Sequence, residues 1–537
     1  MRPFCVLWGL FLLSFPFVSI RAQQSLIPDT RYFYGDYEPS VYQKEARFHT
    51  SVKPYSFPEV NRIANQDSLR NLYLVKNNFH KKIYRGIWNK VFNEPLLGLK
   101  QNDIHITLDP LMDFGIGNDF ETNNKSWTNT RGFLLRGDIG KYVSFYTGFY
   151  ENQAEFPSYV DDFVKQTSVV PGQGKVKNFG TKSYDYSMSF GYVSVALPPY
   201  FSIQFGHGKN SFGDGYRSLL LSDNSFNYPY LKLTTTFWHI KYVNLWAQFQ
   251  DLKTMTSDNL GYDKKYGAFH YLDWSVSKRL TVGLFEAIIW QAADSTGYRG
   301  FDVNYINPAI FYRPTEFSLG SPDNALLGGN ISYKIAKHNI AYGQLILDEF
   351  KISHVRSGDG WWGNKQGFQL GWKSFNLFGI SNLRFQTEYN YVRPYTYSYK
   401  SSIKNYGHYN QPLAHPYGAN FKEWVTLINY RYNRYFIELK TIYAEYGKDT
   451  AGLNFGKDIF KSYETRFREY DNTVGQGLKT NLYFVDFNAG YFVNPSANLH
   501  FYLGYRYRNE KNDEENQKLS YFYVGIRTSI ENFYYDF

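Results

Sequence analysis

The sequence predicts an all-β protein, a transmembrane antiparallel β-barrel of about 18 strands with a small helical region before it. Three observations support this prediction. Apolar and polar residues alternate along most of the chain from residue 102 onward. The connections between the alternating segments are short and long in strict alternation. The chain ends on an aromatic residue, Phe537. This combination is typical of barrels that cross a bacterial outer membrane.

The composition excludes several other classes of protein. Of the 537 residues, 43% are apolar and 20% are aromatic, so aromatic rings supply nearly half of the hydrophobic side chains. The mean hydropathy is −0.48. Beyond the first two dozen residues no apolar run approaches the roughly 18 residues that a helical membrane span requires. A polytopic helical membrane protein is therefore excluded, as are a disordered chain and a scaffold held by disulfides.

Residues 1–22 are predicted to be a secretory signal peptide. Arg2 precedes an apolar stretch that ends at a small residue, Ala22. Pro16 interrupts the stretch, which argues against a retained membrane anchor. Because Cys5 is the single cysteine and lies in this segment, the mature chain is neither disulfide-bonded nor a lipoprotein. We expect export to the outer membrane and contact with its lipid and lipopolysaccharide.

Residues 23–101 differ from the rest of the chain and predict a helical region on the periplasmic side. Between residues 68 and 83, apolar side chains recur at helical spacing, and Asp67 or Ser68 is available to cap the helix. A second short helical patch follows at residues 87–92. We expect these helices to form a small subdomain.

Residues 102–537 form the predicted barrel. Alternation alone does not distinguish a barrel from a soluble sandwich, because the sequence does not orient the two faces of a strand. The connections favour the barrel. Short turns are predicted near residues 138–140, 197–200, 239, 275–278, 336–339, 378, 431–434 and 494–498. Long loops are predicted over residues 112–130, 151–183, 207–229, 251–267, 291–324, 348–366, 393–423, 446–479 and 509–518.

These connections give an even number of strands and place both chain termini on the periplasmic side, where the short turns lie. The final aromatic residue adds a second signal. A terminal aromatic after the last alternating strand is typical of barrels that the outer-membrane insertion machinery recognises. We therefore expect this machinery to bind the chain through Phe537.

The most unusual stretch is residues 206–230, in the third long loop. Its glycines suggest a phosphate-binding loop, but Asp214 follows Gly213 where that motif requires a lysine, so we reject it. Two interpretations stay open: a tightly folded loop whose charges pair inside the lumen, or a ligand site. The candidate residues for contact with polysaccharide or lumen are Lys209, Asp214, Tyr216, Arg217, Ser222, Asp223 and Asn224.

Two further loops carry polar groups that suit carbohydrate. In residues 306–329, Arg313, Asp323 and Asn324 can hydrogen-bond sugar hydroxyls or an acidic sugar, although a turn-rich loop cap explains them equally well. Residues 389–420 are dense in Tyr, Asn and His. Tyrosine rings can stack on sugar rings while amides bond their hydroxyls, but such loops also occur merely as surface coats.

The chain shows little sign of catalysis. His415 precedes a proline in a loop, Asp161 and Asp162 are adjacent, and the eleven histidines show no metal-ligand spacing. A serine–histidine hydrolase stays an alternative, because such triads assemble in space. Basic residues follow the strand alternation, so no nucleic-acid partner is expected. We predict a protein that is not an enzyme and has no catalytic residue, metal site or cofactor.

Several segments resemble the Wzi family of capsule-assembly proteins, and more closely its RemB-like gliding motility branch. The segments are residues 129–160, VVPGQG at 169–174, GHGKNSFGDGYRSLLLSDN from 206, RPTEFSLGSPDN at 313–324 and YGQLILDEF at 342–350. The resemblance covers most of residues 100–537. It implies an outer-membrane barrel of about 18 strands with periplasmic helices and a role in attaching or assembling surface polysaccharide. By this resemblance the family's glycine and LxLS-N-x-P positions fall on Gly213, Leu221, Ser222, Asn224 and Pro229.

Three hypotheses about function follow. The first is a noncatalytic outer-membrane barrel that binds, anchors or helps assemble capsule or exopolysaccharide. The second, prompted by the resemblance, is a cell-surface component of gliding motility. The third is a diffusion channel, because a polar lumen is compatible with an open or a plugged barrel. The charges that would line such a lumen are Arg384, Glu388, Glu438, Arg506, Arg508 and Arg527.

Overall fold

The computed structural model describes residues 25–27, 30–63, 87–197, 199–255, 261–294, 297–310, 323–450 and 452–537. The predicted signal peptide and the predicted helix between residues 68 and 83 lie outside this part of the chain. Within it, no helix has the length and apolar character needed to cross a membrane.

In the described residues, eighteen antiparallel strands close into one barrel, which confirms the predicted fold. The strands pair in chain order, and the last pairs with the first, from Tyr521 opposite Asp119 to Arg527 opposite Asp113. They are β1 (Ile104–Asp119), β2 (Lys125–Ile139), β3 (Val143–Glu155), β4 (Ser183–Leu197), β5 (Phe201–Gly208), β6 (Tyr228–Phe237), β7 (Ile240–Met255), β8 (Tyr262–Trp274), β9 (Leu280–Gln291), β10 (Asn324–Ala336), β11 (Asn339–Glu349), β12 (Lys365–Phe375), β13 (Leu383–Val392), β14 (Phe421–Tyr432), β15 (Tyr435–Lys448), β16 (Leu478–Asn494), β17 (Leu499–Lys511) and β18 (Asn516–Arg527).

The structure orients the two faces of the strands. On β17, Phe501, Leu503 and Tyr505 point outward and are exposed, whereas Arg506 is half-buried and Arg508 is buried, both facing the lumen. Aromatic and aliphatic side chains therefore face the hydrocarbon, and ionic side chains face the interior, as a membrane barrel requires.

The predicted alternation of short turns and long loops defines two ends of the barrel, here called the turn end and the loop end. Three loops are much shorter than predicted, namely those between Asp119 and Lys125, Met255 and Tyr262, and Lys511 and Asn516. The sequence underestimates these strands because their outer ends carry polar residues on both faces. The backbone ladder continues there regardless, since each peptide group still gains a partner.

Short elements lie in the connections and before the barrel. The α-helices of the described chain are α1 (Arg31–Val41), α2 (Phe57–Asn61), α3 (Ile87–Asn93), α4 (Ser158–Thr167) and α5 (Ile352–Ser357). Single 3₁₀ turns occupy Val303–Ile306, Leu377–Gly379, Ser402–Lys404 and Tyr463–Thr465. Short strands pair as Val52–Lys53 with Ser211–Phe212, Ala293–Asp294 with Gly297–Tyr298, Gly407–His408 with Gln411–Pro412, Leu97–Gln101 with β1, and Lys177–Phe179 with β4.

The N-terminal segment, residues 25–27 and 30–63, is anchored near the turn end of the barrel. Asp36 of α1 accepts hydrogen bonds of 2.6 Å from the Nη1 of Arg431 on β14, and Glu38 lies 2.6 Å from the Nζ of Lys373 on β12. Both partners lie near the turn ends of their strands. Because each pair is largely buried, the segment is fixed to the barrel wall rather than resting on it.

The C-terminal ten residues do not belong to the barrel wall. The last strand ends at Arg527, and residues 528–537, here called the C-terminal tail, turn back into the lumen. Thr528 begins this return: its amide donates to the carbonyl of Met112 at 2.9 Å, and its Oγ1 accepts from the Met112 amide at 2.9 Å.

Phe537 consequently lies inside the barrel. Its ring packs against Tyr159 and Phe163 of α4, with centroid distances of 5.9 and 5.0 Å. This position differs from that of an aromatic residue at the end of the last strand, because the polar groups of the tail find partners in the lumen. Recognition of Phe537 by the insertion machinery stays a prediction.

The lumen has two unlike sides. Toward β6–β9 it is filled by an apolar cluster, in which Leu219, Leu220 and Leu221 of the third long loop pack against inward side chains such as Leu245 and Phe285. Toward β13–β18 and β1 it keeps a cavity of about 320 Å³ bordered by charged and tyrosine side chains. The loop, the N-terminal segment and the tail meet between these two sides.

Candidate functional site

The sequence-predicted residues of the third long loop meet inside the barrel. Asp214, Tyr216, Arg217, Ser222 and Asn224 are buried, and Lys209 and Asp223 are half-buried. The loop reverses at Gly213, whose φ of 136° disfavours any other residue. The structure therefore brings these residues together as a packed lumen loop. Contact of any of them with polysaccharide stays a prediction.

Arg217 binds the C-terminal tail. Its Nη1 lies 3.0 Å from Asp536 Oδ1, and its Nη2 donates to the Asp536 carbonyl at 2.9 Å and to Glu423 Oε1 at 3.0 Å. Lys440 Nζ approaches the other oxygen of Asp536 at 2.8 Å, and the Tyr216 hydroxyl donates to that same oxygen. These groups form a compact network that we call the tail clamp.

The electrostatics of the tail clamp explain why a buried carboxylate is tolerated. Burial opposes the charge on Asp536, but Arg217 and Lys440 outweigh it and hold the pKa of this carboxyl well below its ordinary value. Asp536 therefore stays ionised. A nearby buried histidine, His415, lies 2.7 Å from Glu423, and burial lowers its pKa below the ordinary value.

Two more predicted residues hold the tail farther from the C-terminus. Asp223 accepts from the Tyr534 hydroxyl at 2.7 Å and from the Asn532 amide group at 3.2 Å. Lys209 Nζ lies 3.6 Å from Glu531 Oε2. Burial raises the pKa of Glu531, and Lys209 only partly opposes that shift. The third long loop thus contacts the tail at Glu531, Asn532, Tyr534 and Asp536.

Asp214 binds the other end of the chain. One carboxylate oxygen accepts from Tyr42 and from Thr50, each at 2.6 Å, and the other accepts from Asn330 at 2.9 Å. Tyr42 and Thr50 belong to the N-terminal segment, whereas Asn330 projects from β10. Asp214, which rules out a phosphate-binding loop, therefore has a structural role: its carboxylate accepts the hydrogen bonds that join the N-terminal segment to the wall.

Ser222 and Asn224 join the third long loop to the Tyr-rich loop that precedes β14. The Ser222 hydroxyl donates to the carbonyls of Leu413 and Ala414, and the Asn224 amide group donates to Pro412 at 3.1 Å. Most of the Tyr-rich loop is buried as well. The hydroxyls of its tyrosines donate to loop carbonyls inside the lumen, as Tyr397 and Tyr406 do to Leu219 and Leu220 at 2.7 Å.

Asp323 anchors a different structure, a loop on the outside of the barrel. It accepts from Arg299 Nη1 at 2.8 Å and from the Tyr305 hydroxyl at 2.8 Å, and Lys404 Nζ lies 3.3 Å away. Asn324 points inward and donates to the Lys404 carbonyl at 2.8 Å. Arg313, the third predicted residue of this group, lies outside the described residues.

Residues 297–310 form this outer loop, here called the outer strap, and the sequence did not predict it. Leu245 and its alternate neighbours face the lumen, so Trp246 faces outward, yet it is buried under the strap together with Trp290 and Tyr305. The Trp246 indole donates to the Tyr305 carbonyl at 2.7 Å. The strap reaches down to Tyr242, whose hydroxyl donates to Pro308 at 2.6 Å.

The loop end presents an aromatic surface that sequence reasoning also missed. We call His354, Trp361, Trp362, Tyr463 and Tyr470 the loop-end aromatic cluster. His354 stacks on Trp361 with ring centroids 4.6 Å apart and lies 6.2 Å from Tyr470, and the rings of Trp362 and Tyr463 are 4.7 Å apart. Adjacent tryptophans in a polar loop were the available sequence signal.

Backbone pairing between two loops makes this surface rigid. The Trp362 amide donates to the Glu469 carbonyl at 2.9 Å. The amides of Asp471 and Asn472 donate to the carbonyls of Asp359 and Gly360 at 2.8 and 2.9 Å. The loop after β11 and the loop before β16 are thereby locked together. Tyr470 remains 49% exposed at their junction, so the cluster offers a fixed aromatic face to solvent.

The arrangement of potential metal ligands was compared among the described residues. Among the described residues, no group of three or more His, Cys, Asp and Glu side chains is arranged to hold a metal ion. The adjacent acids Asp161 and Asp162 do not converge on a common site. Asp161 instead accepts from the Tyr184 hydroxyl at 2.6 Å and pairs with Lys165.

Comparison with known proteins identifies the fold. No family model matches the sequence, and no curated protein matches it. The structure is similar to Wzi, an outer-membrane protein involved in group 1 capsule assembly in Escherichia coli and described as a carbohydrate-binding β-barrel. The two align over 95% of this chain and 100% of that chain, with a TM-score of 0.53 and 12% identity.

The barrel has the fold of Wzi. Two other barrels overlay on it less well. OprD of Pseudomonas aeruginosa aligns over 78% of this chain and 94% of its own, with 12% identity and a TM-score of 0.42. OccAB2 of Acinetobacter baumannii aligns over 79% and 97%, with 9% identity and a TM-score of 0.43. Membership of a RemB-like branch stays a prediction.

Proposed function

We propose that this protein is a noncatalytic barrel of the outer membrane that binds surface polysaccharide at its loop end. The observation that carries the proposal is the loop-end aromatic cluster, a rigid and partly exposed aromatic face on two locked loops. The likeness to the Wzi fold supports the same location and the same class of ligand. Outer-membrane lipid and lipopolysaccharide would then surround the apolar outer band.

The chemistry of the cluster suits a carbohydrate. An aromatic ring offers an apolar face to the C–H surface of a sugar, and the tyrosine hydroxyl and indole N–H supply polar edges. Lys351 Nζ lies 4.7 Å from the Trp361 ring centroid, and the Arg466 guanidinium lies 4.4 Å from that of Trp362. These cations flank the rings and can attract the acidic groups that many surface polysaccharides carry.

The lumen residues have a supporting role in this proposal. Lys209, Asp214, Arg217 and Asp223 hold the chain ends inside the barrel, and Ser222 positions the neighbouring loop. Direct contact of these residues with polysaccharide is a separate proposal, which a binding assay of lumen variants would test.

The test compares variants of the cluster with a matched variant at the other end of the barrel. Trp361→Ala combined with Tyr470→Ala is expected to lower binding of purified capsular or exopolysaccharide and to increase the fraction that cells shed. Phe378→Ala is the control, because Phe378 is 89% exposed but lies in a turn at the opposite end. Unchanged binding and retention in the double variant would reject the proposal.

A gene deletion separates this function from gliding motility. Polysaccharide retention and colony spreading are measured in the same deletion strain and in the strain carrying the double variant. Loss of retention with normal spreading supports the proposal. Loss of spreading with normal retention would favour the motility hypothesis instead.

A further inference from the structure

The lumen cavity lies between the barrel wall and the two chain ends. Its outer wall is built from β13–β18 and β1, and its inner wall from α1 and the C-terminal tail. It extends from Arg384 and His500, near the turn end, to Glu155 and Val160, near the loop end. The cavity therefore follows the barrel axis rather than forming a local pocket.

Glycines on the wall beside the cavity reduce the space that inward side chains occupy. Gly117 on β1 and Gly504 on β17 face the lumen, and the rings of Tyr521 and Tyr523 lie directly against them. A side chain at either glycine would overlap the neighbouring ring, at 2.1 and 2.3 Å respectively. These tyrosines consequently lie flat along the wall, which leaves the middle of this side open.

Charged groups border the open side. The cations that line it are Arg31, Lys53, Lys373, Arg384, Lys440, Arg506 and Arg527. The carboxylates that line it are Glu38, Asp113, Glu155, Glu438 and Asp486, and the tail adds Asp536, so that without the tail seven cations face five carboxylates. A space of this size with such walls holds water and ions rather than apolar groups.

The tail fills space without forming part of the sheet. Beyond Thr528 its backbone takes no place in the strand ladders, so removal of residues 530–537 leaves the eighteen strands paired as they are. It also carries the carboxylates that neutralise two lumen cations, since Glu531 pairs with Lys209 and Asp536 pairs with Lys440. Without the tail, the cavity becomes wider and more positively charged.

We propose that this side of the barrel is an anion-preferring conduit and that the C-terminal tail closes it. The inference goes beyond polysaccharide binding and does not rest on it, because the conduit and the loop-end aromatic cluster share no residue. Small inorganic anions are the solutes that its charge and its volume of about 320 Å³ suit.

Planar-bilayer recording of the purified full chain and of a chain that lacks residues 530–537 tests the proposal. This truncation keeps the Thr528 hydrogen bonds to Met112. Heat-modifiable migration in gels confirms that each barrel is folded. The full chain is expected to give no single-channel steps, and the truncated chain to conduct with a reversal potential displaced toward that of chloride in a potassium chloride gradient.

Two charge variants in the truncated chain locate the path. Lys440→Glu is expected to shift the reversal potential toward that of potassium, because Lys440 lines the cavity. Lys337→Glu, an identical change in a turn outside the cavity, is expected to leave it unchanged. Equal shifts from the two variants would overturn the assignment of the path.

A full-length variant covers the case in which the truncated chain fails to fold. Asp536→Arg places a third cation beside Arg217 and Lys440 and is expected to displace the tail and produce channel steps. Folded barrels of the truncated chain or of this variant that do not conduct would overturn the proposal. Equal conductance of the full-length and truncated proteins would show that the tail does not close the path.

Discussion

Arg217 and Asp536 form a fully buried ion pair that joins the third long loop to the penultimate residue of the chain, with 3.0 Å between Nη1 and Oδ1. The pair does not stand alone, since Arg217 also binds Glu423 and Asp536 also binds Lys440. Charges held in this way are costly to separate, because each would remain buried without a partner.

Replacing Arg217 with leucine should release the tail. Removal of one partner of a buried ion pair typically costs about 3–5 kcal/mol. This cost exceeds the free energy that holds a ten-residue segment with few backbone hydrogen bonds to the sheet in place. The rate at which carboxypeptidase removes C-terminal residues measures the release. Lys278→Leu is the matched control, because its ion pair with Glu45 is 57% and 71% exposed and should contribute little to stability. Equal protection of both variants would contradict the tail clamp.

Gly213→Ala should destabilise the folded loop. The backbone there has φ 136°, and a new Cβ would lie 1.9 Å from the Gln344 side chain. An L-residue in left-handed backbone costs about 1–2 kcal/mol before any clash is counted. The midpoint of thermal unfolding, followed by gel migration, measures the loss. Gly208→Ala provides the comparison, because its new Cβ makes only an ordinary contact of 3.9 Å, and a comparable loss there would refute the argument.

The number and order of strands, and the positions of the turns, could be predicted because both are local patterns. Two-residue alternation and turn chemistry act between neighbours in the chain. The tail clamp could not be predicted, since Arg217 and Asp536 are 319 positions apart and no local pattern links residues 206–230 to the C-terminal residues. The outer strap escaped prediction for a related reason, because Trp246 looks like any other lipid-facing aromatic residue.

The Tyr-rich loop shows a second limit of sequence reasoning. Its composition suits a surface for sugars, but composition alone does not distinguish this role from burial. Tyr397 and Tyr406 can be buried because carbonyls of the third long loop accept hydrogen bonds from their hydroxyls. Those acceptors belong to another loop, so no local pattern reveals them.

Mild acid should not release the tail. The pKa of Asp536 lies below its unfolded value, so its contribution to stability is complete above about pH 4 and is lost only as the pH falls through the lower folded value. The pKa of Glu531 is raised, so acidification protonates this buried group and does not weaken the folded state. Hydrogen exchange of the tail amides, corrected for intrinsic rates, should show equal protection at neutral pH and near pH 5. A loss of protection over this range would contradict the prediction.

Asp323→Leu should detach the outer strap. Arg299 and Tyr305 would lose their shared acceptor, and the Tyr305 ring would no longer be held against Trp290. Limited proteolysis within residues 297–310 should accelerate strongly, with no change in barrel migration on gels. Asp513→Leu, in an exposed loop, controls for the loss of a carboxylate. Equal cleavage rates in the two variants would show that Asp323 does not anchor the strap.

The position of the tail has a consequence for the order of assembly. The side chains that bind Arg217, Lys209 and Asp223 all follow the last strand of the barrel in the chain. A chain cut after β18 retains all eighteen strands, yet its buried cations lack their acids. The barrel can therefore close before its interior charges are neutralised, and a peptide fused to Phe537 would have to be accommodated in the lumen.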